Sequence, residues 1–213
     1  MHLTKFEHST MVLTADDGSE LYIDPGSFAR PVPASSRAVA IVISHEHADH
    51  WTPEQLDRIL AAAPGTPIYA PQGVADAASG YDVTVVQAGD TVQAGPFTLR
   101  FFGGRHAVIH RSIPVVDNLG VLVDDTLFYP GDSFTVPEGI DVDVLAVPAS
   151  APWLKAAEFM DYVLEVAPRR SFPVHECVNS DLGNQMAFAR IKQTTEEGGG
   201  TFLPVTAGDE VDL

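Results

Sequence analysis

Short apolar runs separated by turn residues dominate the pattern along this chain. The runs are rich in valine, isoleucine, leucine and phenylalanine, and several of them are followed by glycine, proline or aspartate. Such runs predict β-strands, and a continuous run such as AVAIVIS is typical of a strand that is covered on both faces. The predicted strands are Leu3–Phe6, Met11–Thr14, Leu21–Ile23, Ala38–Ser44, Pro67–Ala70, Val83–Gln87, Thr91–Gln93, Phe97–Phe102, Leu119–Val123, Thr126–Tyr129, Val142–Ala149, Ser171–His175 and Thr201–Pro204.

Helical patterns are fewer and lie between groups of strands. Thr52 as N-cap, Pro53 in the first turn and Gln55 as the third helical residue form a capping-box pattern. The helix that follows is predicted to stop at Pro64–Gly65. Three further helices are predicted near Gly73–Ala78, Lys155–Val166 and Leu182–Gln193. Many strands, a helix, many strands and then two helices indicate an α+β fold, with two antiparallel-rich sheets and helices on their outer faces. We expect one domain over residues 1–213.

The charge balance restricts the partners of the protein. The chain has 29 acidic and 12 basic residues, which gives a formal net charge of −17. Such a surface repels phosphate backbones and anionic membranes, so we expect neither nucleic acid nor membrane as a partner. The start of the chain lacks the pattern of a signal peptide, and Cys177 is the only cysteine. Both features favour a cytoplasmic protein, and homo-oligomerisation stays open.

The stretch HEHADH, which follows the strand Ala38–Ser44, concentrates ligand-type side chains. It contains His45, His47, Asp49 and His50. Side chains at i and i+2 of an extended segment point the same way, so His45 and His47 can bind one ion together. Imidazole is the commonest zinc ligand in proteins, and carboxylates complete such sets. The alternative, a solvated polar turn, explains the crowding of histidines less well.

Further ligands must come from other parts of the chain, because one short motif does not complete a coordination sphere. Three candidates follow apolar runs: His106, Asp132 and His175. Each alone is unremarkable, since a single histidine at a strand end is more often a surface or core residue. Together with HEHADH they predict a shared metal centre.

These residues resemble the signature of the metallo-β-lactamase superfamily. HEHADH matches its His-x-His-x-Asp-His motif, and HAVIH, YPGDS and FPVHE contain residues that match its remaining ligand positions. The resemblance extends from YIDPGSF to His175, and within the superfamily the chain is similar to the compact branch of ascorbate-6-phosphate lactonases. It implies a four-layer αβ/βα sandwich with the metal site at one edge of two facing sheets.

The resemblance also implies which residue binds which ion. The first metal would be bound by His45, His47 and His106. The second would be bound by Asp49, His50 and His175, with Asp132 bridging both. We expect two divalent ions, with zinc first and manganese or iron as alternatives, although some relatives hold a single metal.

The predicted function is that of a metallohydrolase acting on a small ester, lactone or phosphoester. Paired cations supply hydroxide from water near neutral pH, and Asp49 is the candidate proton-handling carboxylate. Arg105, His110 and Arg111 are candidates for holding an anionic group of the substrate, or else form a charged surface loop. The alternative function is an inactive metal-binding or regulatory protein on the same fold.

Other side chains near these motifs have less specific interpretations. His8 is a candidate for supporting the ligands from outside the metal shell. Trp153 and Phe134 either line a substrate pocket or belong to the core. Cys177 is expected to be a small buried residue rather than a group near the metals.

Overall fold

The computed structural model describes residues 1–213. Four helices and fourteen strands alternate with short loops. In chain order the strands are β1 (His2–Lys5), β2 (Met11–Thr14), β3 (Glu20–Ile23), β4 (Ala38–Val42), β5 (Ile68–Ala70), β6 (Val83–Val85), β7 (Thr91–Ala94), β8 (Phe97–Gly103), β9 (Leu119–Val123), β10 (Leu127–Tyr129), β11 (Val144–Pro148), β12 (Arg170–Val174), β13 (Thr201–Phe202) and β14 (Glu210–Asp212). The helices are α1 (Pro53–Ala62), α2 (Gln72–Ala77), α3 (Ala156–Val166) and α4 (Asp181–Glu197).

The strands form two seven-stranded mixed sheets. The first sheet has the order β14-β1-β2-β3-β4-β5-β6, and the second has the order β13-β12-β11-β10-β9-β8-β7. In each sheet one half is antiparallel and the other is parallel: β3 to β6 run parallel in the first sheet, and β10 to β13 run parallel in the second. The expectation of sheets rich in antiparallel pairs is therefore only half right, since each sheet has as many parallel pairs as antiparallel ones.

Three apolar cores hold four layers together. The largest contains residues of both sheets, such as Leu13 and Phe101, and therefore lies between the sheets. A second core packs Leu56 of α1 on the outer face of the first sheet, and a third packs Phe159 of α3 on the outer face of the second. The helices thus cover the outer faces, which confirms the predicted sandwich. None of the helices is long and apolar enough to cross a membrane.

Each predicted strand has an observed counterpart, but the predicted capping box of α1 forms only in part. The backbone N–H of Gln55 donates to Oγ1 of Thr52 at 3.2 Å, so Thr52 is the N-cap. The side chain of Gln55 does not return to the cap. Its Oε1 accepts the backbone N–H of Val32 at 3.1 Å, and its Nε2 donates to the carbonyl of Arg30 at 3.1 Å. This buried amide therefore ties α1 to the 26–32 loop instead.

Strand direction places the ends of seven strands at one edge of the sandwich. β1, β3 and β4 run the same way in the first sheet, because β2 is antiparallel to both β1 and β3. In the second sheet β8, β10, β11 and β12 share a direction, because β9 is antiparallel to both β8 and β10. The loops after these strands meet where the backbone N–H of Leu119 donates to the carbonyl of Ser44 at 2.9 Å.

Candidate metal centre

All seven predicted ligands lie in the loops after strands that end at this edge. His45, His47, Asp49 and His50 follow β4, and the other three follow β8, β10 and β12. The structure brings the seven side chains into overlapping groups of mutually close donor atoms, although the residues span positions 45 to 175 of the sequence.

The first group consists of His45, His47 and His106. Their nearest ligand atoms lie within 4.8 Å of one another. Nε2 of His45 and Nδ1 of His47 are 3.0 Å apart. His45 and His106 are buried, and His47 is half-buried, so one side of the group faces solvent. This group has the three imidazoles expected for a first metal.

The second group consists of His50, His175 and Asp49, with His8 as a fourth member. Nε2 of His50 and Nε2 of His175 are 3.3 Å apart. Oδ2 of Asp49 lies 3.6 Å from Nε2 of His50 and 3.7 Å from Nε2 of His175. The side chain of Asp49 is 23% exposed, which leaves it in contact with the open side of the centre.

Asp132 lies between the two groups. Its Oδ2 is 3.4 Å from Nε2 of His106 in the first group and 3.2 Å from Nε2 of His175 in the second. Its Oδ1 is 3.3 Å from Nε2 of His50. This position is the one expected of a bridging carboxylate.

The donor atoms fit a bound cation. Nε2 of His106 and Oδ1 of Asp132 are buried without a hydrogen-bond partner, although each lies close to another group of the cluster. A buried polar atom without a partner is costly. A cation satisfies several such lone pairs together, and the nitrogen and oxygen donors are those that zinc, manganese and iron accept in proteins.

Neighbouring charges shift the pKa values of the cluster. Burial lowers the pKa of His45 well below its ordinary value, and His50 lowers it further. Burial alone would lower the pKa of His50, but the carboxylates of Asp132 and Asp24 raise it well above its ordinary value. Burial alone would raise the pKa of Asp132, but His50 and His175 lower it. A cation at Nε2 of His50 would replace the proton there, so the same carboxylates favour metal binding.

Asp24, which the sequence analysis did not single out, supports the centre from behind. It is fully buried after β3. Its Oδ2 lies 2.6 Å from Nδ1 of His50 and accepts the hydroxyls of Tyr129 and Ser44, each at 2.6 Å. Its Oδ1 accepts the backbone N–H of Ser44 at 2.7 Å. A carboxylate on the far nitrogen of a ligand histidine fixes the ring orientation and leaves Nε2 for the metal.

Glycines allow the loops of the centre to approach closely. A Cβ on Gly131 would lie 2.4 Å from Oδ1 of Asn118, and the backbone of Gly131 has a φ of +64°. The same Oδ1 accepts the backbone N–H of Asp132 at 2.9 Å, so Asn118 holds the loop that presents Asp132. A Cβ on Gly26 would lie 1.8 Å from the carbonyl oxygen of Asp49. These contacts explain the glycines of YPGDS and YIDPGSF.

His8, whose role the sequence left open, contacts Asp49 directly. Its Nε2 lies 3.1 Å from Oδ2 of Asp49. Because an ionised carboxylate only accepts, Nε2 of His8 carries the proton and donates it. Burial lowers the pKa of His8 to about 4. For Asp49, burial alone would raise the pKa, but the hydrogen bond from His8 and the neighbouring His50 and His175 lower it below its ordinary value.

A buried ion pair holds the loop of His8 against the end of β12. Lys5 donates from Nζ to the carbonyl of His8 at 2.7 Å and to Oε1 of Glu176 at 3.1 Å. Oε1 of Glu176 also accepts the backbone N–H of His8 at 2.9 Å. The backbone N–H of His175 donates to the carbonyl of His8 at 3.1 Å. His8 and His175 both have positive φ values, 61° and 64°, a conformation that surrounding contacts must enforce.

Aromatic residues border the centre on the side of the second sheet. Nε1 of Trp153 donates to Oδ2 of Asp132 at 2.8 Å, and its ring lies 6.0 Å from that of His106. Phe134 packs edge-on against Trp153 with ring centroids 5.1 Å apart. Trp153 is therefore both a core residue and a neighbour of the bridging carboxylate.

The predicted substrate contacts lie outside the buried cluster. Arg105, His110 and Arg111 are exposed on the loop that joins β8 to β9. Arg105 donates from Nη2 to the carbonyl of Val115 at 3.4 Å, and Nδ1 of His110 is 2.7 Å from the hydroxyl of Ser112. Their role in holding an anion stays a prediction. The expectation that Cys177 is buried is wrong, because it lies exposed in a short 3₁₀ turn after His175.

Comparisons with known proteins agree with this architecture. Residues 2–175 match the family described as the β-lactamase superfamily domain. Protein Rv0786c of Mycobacterium tuberculosis (strain ATCC 25618 / H37Rv) is 38% identical over 202 residues, which cover 92% of this chain and 93% of that protein.

Two solved structures share the fold. Igni18, a metallo hydrolase of the archaeon Ignicoccus hospitalis, superposes with a TM-score of 0.73 at 17% identity over 99% of this chain and 97% of its own. CmlA, a diiron β-hydroxylase of Streptomyces venezuelae, gives 0.68 at 15% identity over all of this chain and 54% of its own. At these identities the likeness is one of fold. With the family match over most of its length, the chain belongs to the β-lactamase superfamily and has the metallo-β-lactamase fold.

Proposed function

We propose that the protein is a metal-dependent hydrolase that uses activated water on a small ester, lactone or phosphoester. The observation that carries this proposal is the convergence of seven imidazole and carboxylate side chains on one open edge of the sandwich. Within the superfamily we place the chain near the ascorbate-6-phosphate lactonases, on the motifs HEHADH, YPGDS and FPVHE.

Two divalent ions would be held by this set. His45, His47 and His106 would bind one ion, and Asp49, His50 and His175 would bind the other, with Asp132 shared. When bound, such ions lower the pKa of water to near neutrality and stabilise negative charge that develops on a substrate oxygen. Zinc fits the donors first, with manganese or iron as alternatives.

The residues of the chain then orient the reactants and handle the proton. Oδ2 of Asp49 lies near His50 and His175, and the Asp49 side chain is partly exposed, so the carboxylate can accept a proton from water at the open side. His8 donates to the same oxygen and limits how far the carboxylate can rotate. Trp153, in the loop after β11, donates from Nε1 to Oδ2 of Asp132 and holds this carboxylate in place.

Counting the bound ions tests the proposal most directly. We expect elemental analysis of the purified protein to give about two divalent ions per chain, because seven ligands suffice for two sites. Dialysis against a chelator should abolish ester hydrolysis and lower the melting temperature, since an ion that binds only the folded state stabilises it. Re-addition of zinc, manganese or iron, one at a time, then identifies the metal that restores activity.

The same preparation separates the hydrolase from an inactive binder. Bound metal without turnover across a panel of neutral esters, lactones and phosphoesters would contradict the hydrolase and favour a regulatory metal protein on this fold. If the bound metal is iron and no hydrolysis is detected, a hydroxylation reaction would be tested next, because the diiron β-hydroxylase CmlA shares this fold.

The arginines of the loop that joins β8 to β9 (residues 104–118) give a second expected result. If this loop holds an anionic group, Arg105→Ala or Arg111→Ala should raise KM for an anionic ester about tenfold and leave a neutral ester of the same shape unchanged. Steady-state kinetics with the matched pair of esters measure this. Arg37→Ala, an exposed arginine of the 35–37 turn, serves as control. Equal effects on both esters would remove the anion site.

A further inference from the structure

A cleft beside Trp153 is lined in part by apolar side chains that the metal chemistry does not need. Its volume is about 360 Å³, within the size range of small-molecule sites. Six of its nine lining residues are hydrophobic. Among them Val108, Ile109 and Phe134 are accessible or half-buried, and Val108 is 63% exposed. Exposed apolar side chains around a concave surface indicate a binding site.

Two residues in the wall of the cleft contact Asp132 of the centre. Ala107, in its wall, follows the predicted ligand His106, and its backbone N–H donates to the carbonyl of Asp132 at 2.9 Å. Trp153, also in its wall, donates to Oδ2 of Asp132. A group seated in this cleft therefore lies one residue, Trp153, away from the carboxylate that both sets of imidazoles approach.

The lining offers no unpaired charge. Lys155 is its one cation, and Nζ of Lys155 lies 3.3 Å from Oε1 of Glu158, which belongs to the same lining. Arg105, His110 and Arg111 are not part of the wall. An uncharged group that covers the apolar side chains fits this wall, because the lining holds no buried cation for a carboxylate or phosphate.

A larger cavity lies between α3 and α4, at a different position relative to the metal centre. Its volume is about 520 Å³, and Ser150, Phe159 and Met186 are in its lining. The hydroxyl of Ser150 donates to the backbone carbonyl of His175. The carbonyl oxygen of Ser150 lies next to Nδ1 of His175, the ring nitrogen on the far side from Nε2. This cavity therefore lies behind a ligand candidate, while the wall of the cleft at Trp153 contacts the carboxylate of Asp132.

We infer that the substrate carries an uncharged aliphatic or aromatic group next to the bond that is cleaved, and that this group binds between Ile109, Phe134 and Trp153. This inference rests on the proposed hydrolase function and specifies its substrate class.

Chain-length dependence tests the cleft. We expect kcat/KM for 4-nitrophenyl acetate, butanoate and hexanoate to rise about fourfold for each methylene that enters the cleft. Ile109→Ser should flatten this rise, because the longer chains reach the changed wall. Met186→Ser, in the larger cavity, should keep the wild-type dependence. A flat series in the wild type, or a loss of the rise in Met186→Ser instead, would overturn the inference.

A binding measurement separates this inference from the proposed function. The neutral apolar dye N-phenyl-1-naphthylamine should bind the metal-loaded protein with enhanced fluorescence, and Ile109→Ser should weaken its binding about fourfold or more. Dye binding that responds to Ile109→Ser without any turnover would refute the hydrolase and keep the cleft. Turnover without chain-length preference and without any response of the dye to Ile109→Ser would refute the cleft and keep the hydrolase.

Discussion

Replacement of Asp49 by alanine is expected to abolish hydrolysis and leave the protein folded. Asp49 is partly exposed, and its carboxylate contacts His8, His50 and His175 rather than the core. Removing a general base costs 10²- to 10⁴-fold in rate, so we expect kcat/KM to fall by at least about 10²-fold. Kinetics on the best ester of the panel, with far-UV circular dichroism as the fold check, measure this change.

Matched variants show which property of Asp49 matters. Asp49→Asn keeps the shape but loses the charge, and we expect it to be as inactive as the alanine variant. His8→Ala removes the donor that orients Oδ2 and should lower kcat about tenfold with little change in KM. Asp161→Ala, at an exposed position of α3, should behave as the wild type. Full activity of Asp49→Ala would show that another group handles the proton.

The positions of most strands could be predicted because each strand corresponds to a short run of apolar residues in the sequence. Runs such as Leu119–Val123 are apolar along their whole length, and the structure buries every residue of that strand. The terminal strand β14 was missed because it has only three residues, which alternate charged and apolar side chains. Two of them are exposed and one is half-buried, at the edge of the sheet. The half-parallel character of each sheet was missed because pairing direction depends on connections far along the chain, which no local pattern records.

The ligand candidates could be chosen from the sequence because metal chemistry restricts residue type. Histidines and an aspartate that follow apolar runs, taken together with HEHADH, predicted that these side chains converge, and the structure brings them together. Supporting residues carry no such signal. Asp24 is one aspartate before a Pro-Gly turn, and only the structure shows that four donor groups surround its carboxylate. Gln55 matches a capping-box pattern in the sequence, but in the structure its side-chain amide forms hydrogen bonds to the 26–32 loop instead.

Replacement of Asp24 by alanine is expected to have the largest effect on stability. The carboxylate is fully buried and accepts from Ser44 and Tyr129 while it contacts His50. Its loss leaves these donors without partners, and breaking such a buried charged network costs about 3–5 kcal/mol of unfolding free energy. Urea unfolding of the metal-free protein measures this cost. Affinity for zinc, measured against a competing chelator, should fall about 10- to 100-fold, because the orientation of His50 is no longer fixed.

Two further variants separate the stability lost with the buried hydrogen bonds from the stability lost through backbone strain at this position. Asp24 has a φ of +45°, so alanine there is also strained, and Asp125→Ala at a φ of +50° reports that strain at an exposed site. Asp24→Asn tolerates the same backbone and keeps one acceptor oxygen, so it should lose only about 1–3 kcal/mol of stability. Its zinc affinity should nevertheless fall, since a neutral amide orients and polarises His50 less than a carboxylate does. Equal stability of the Asp24→Ala and Asp125→Ala variants, with wild-type zinc affinity in both, would show that the ligands keep their positions without Asp24.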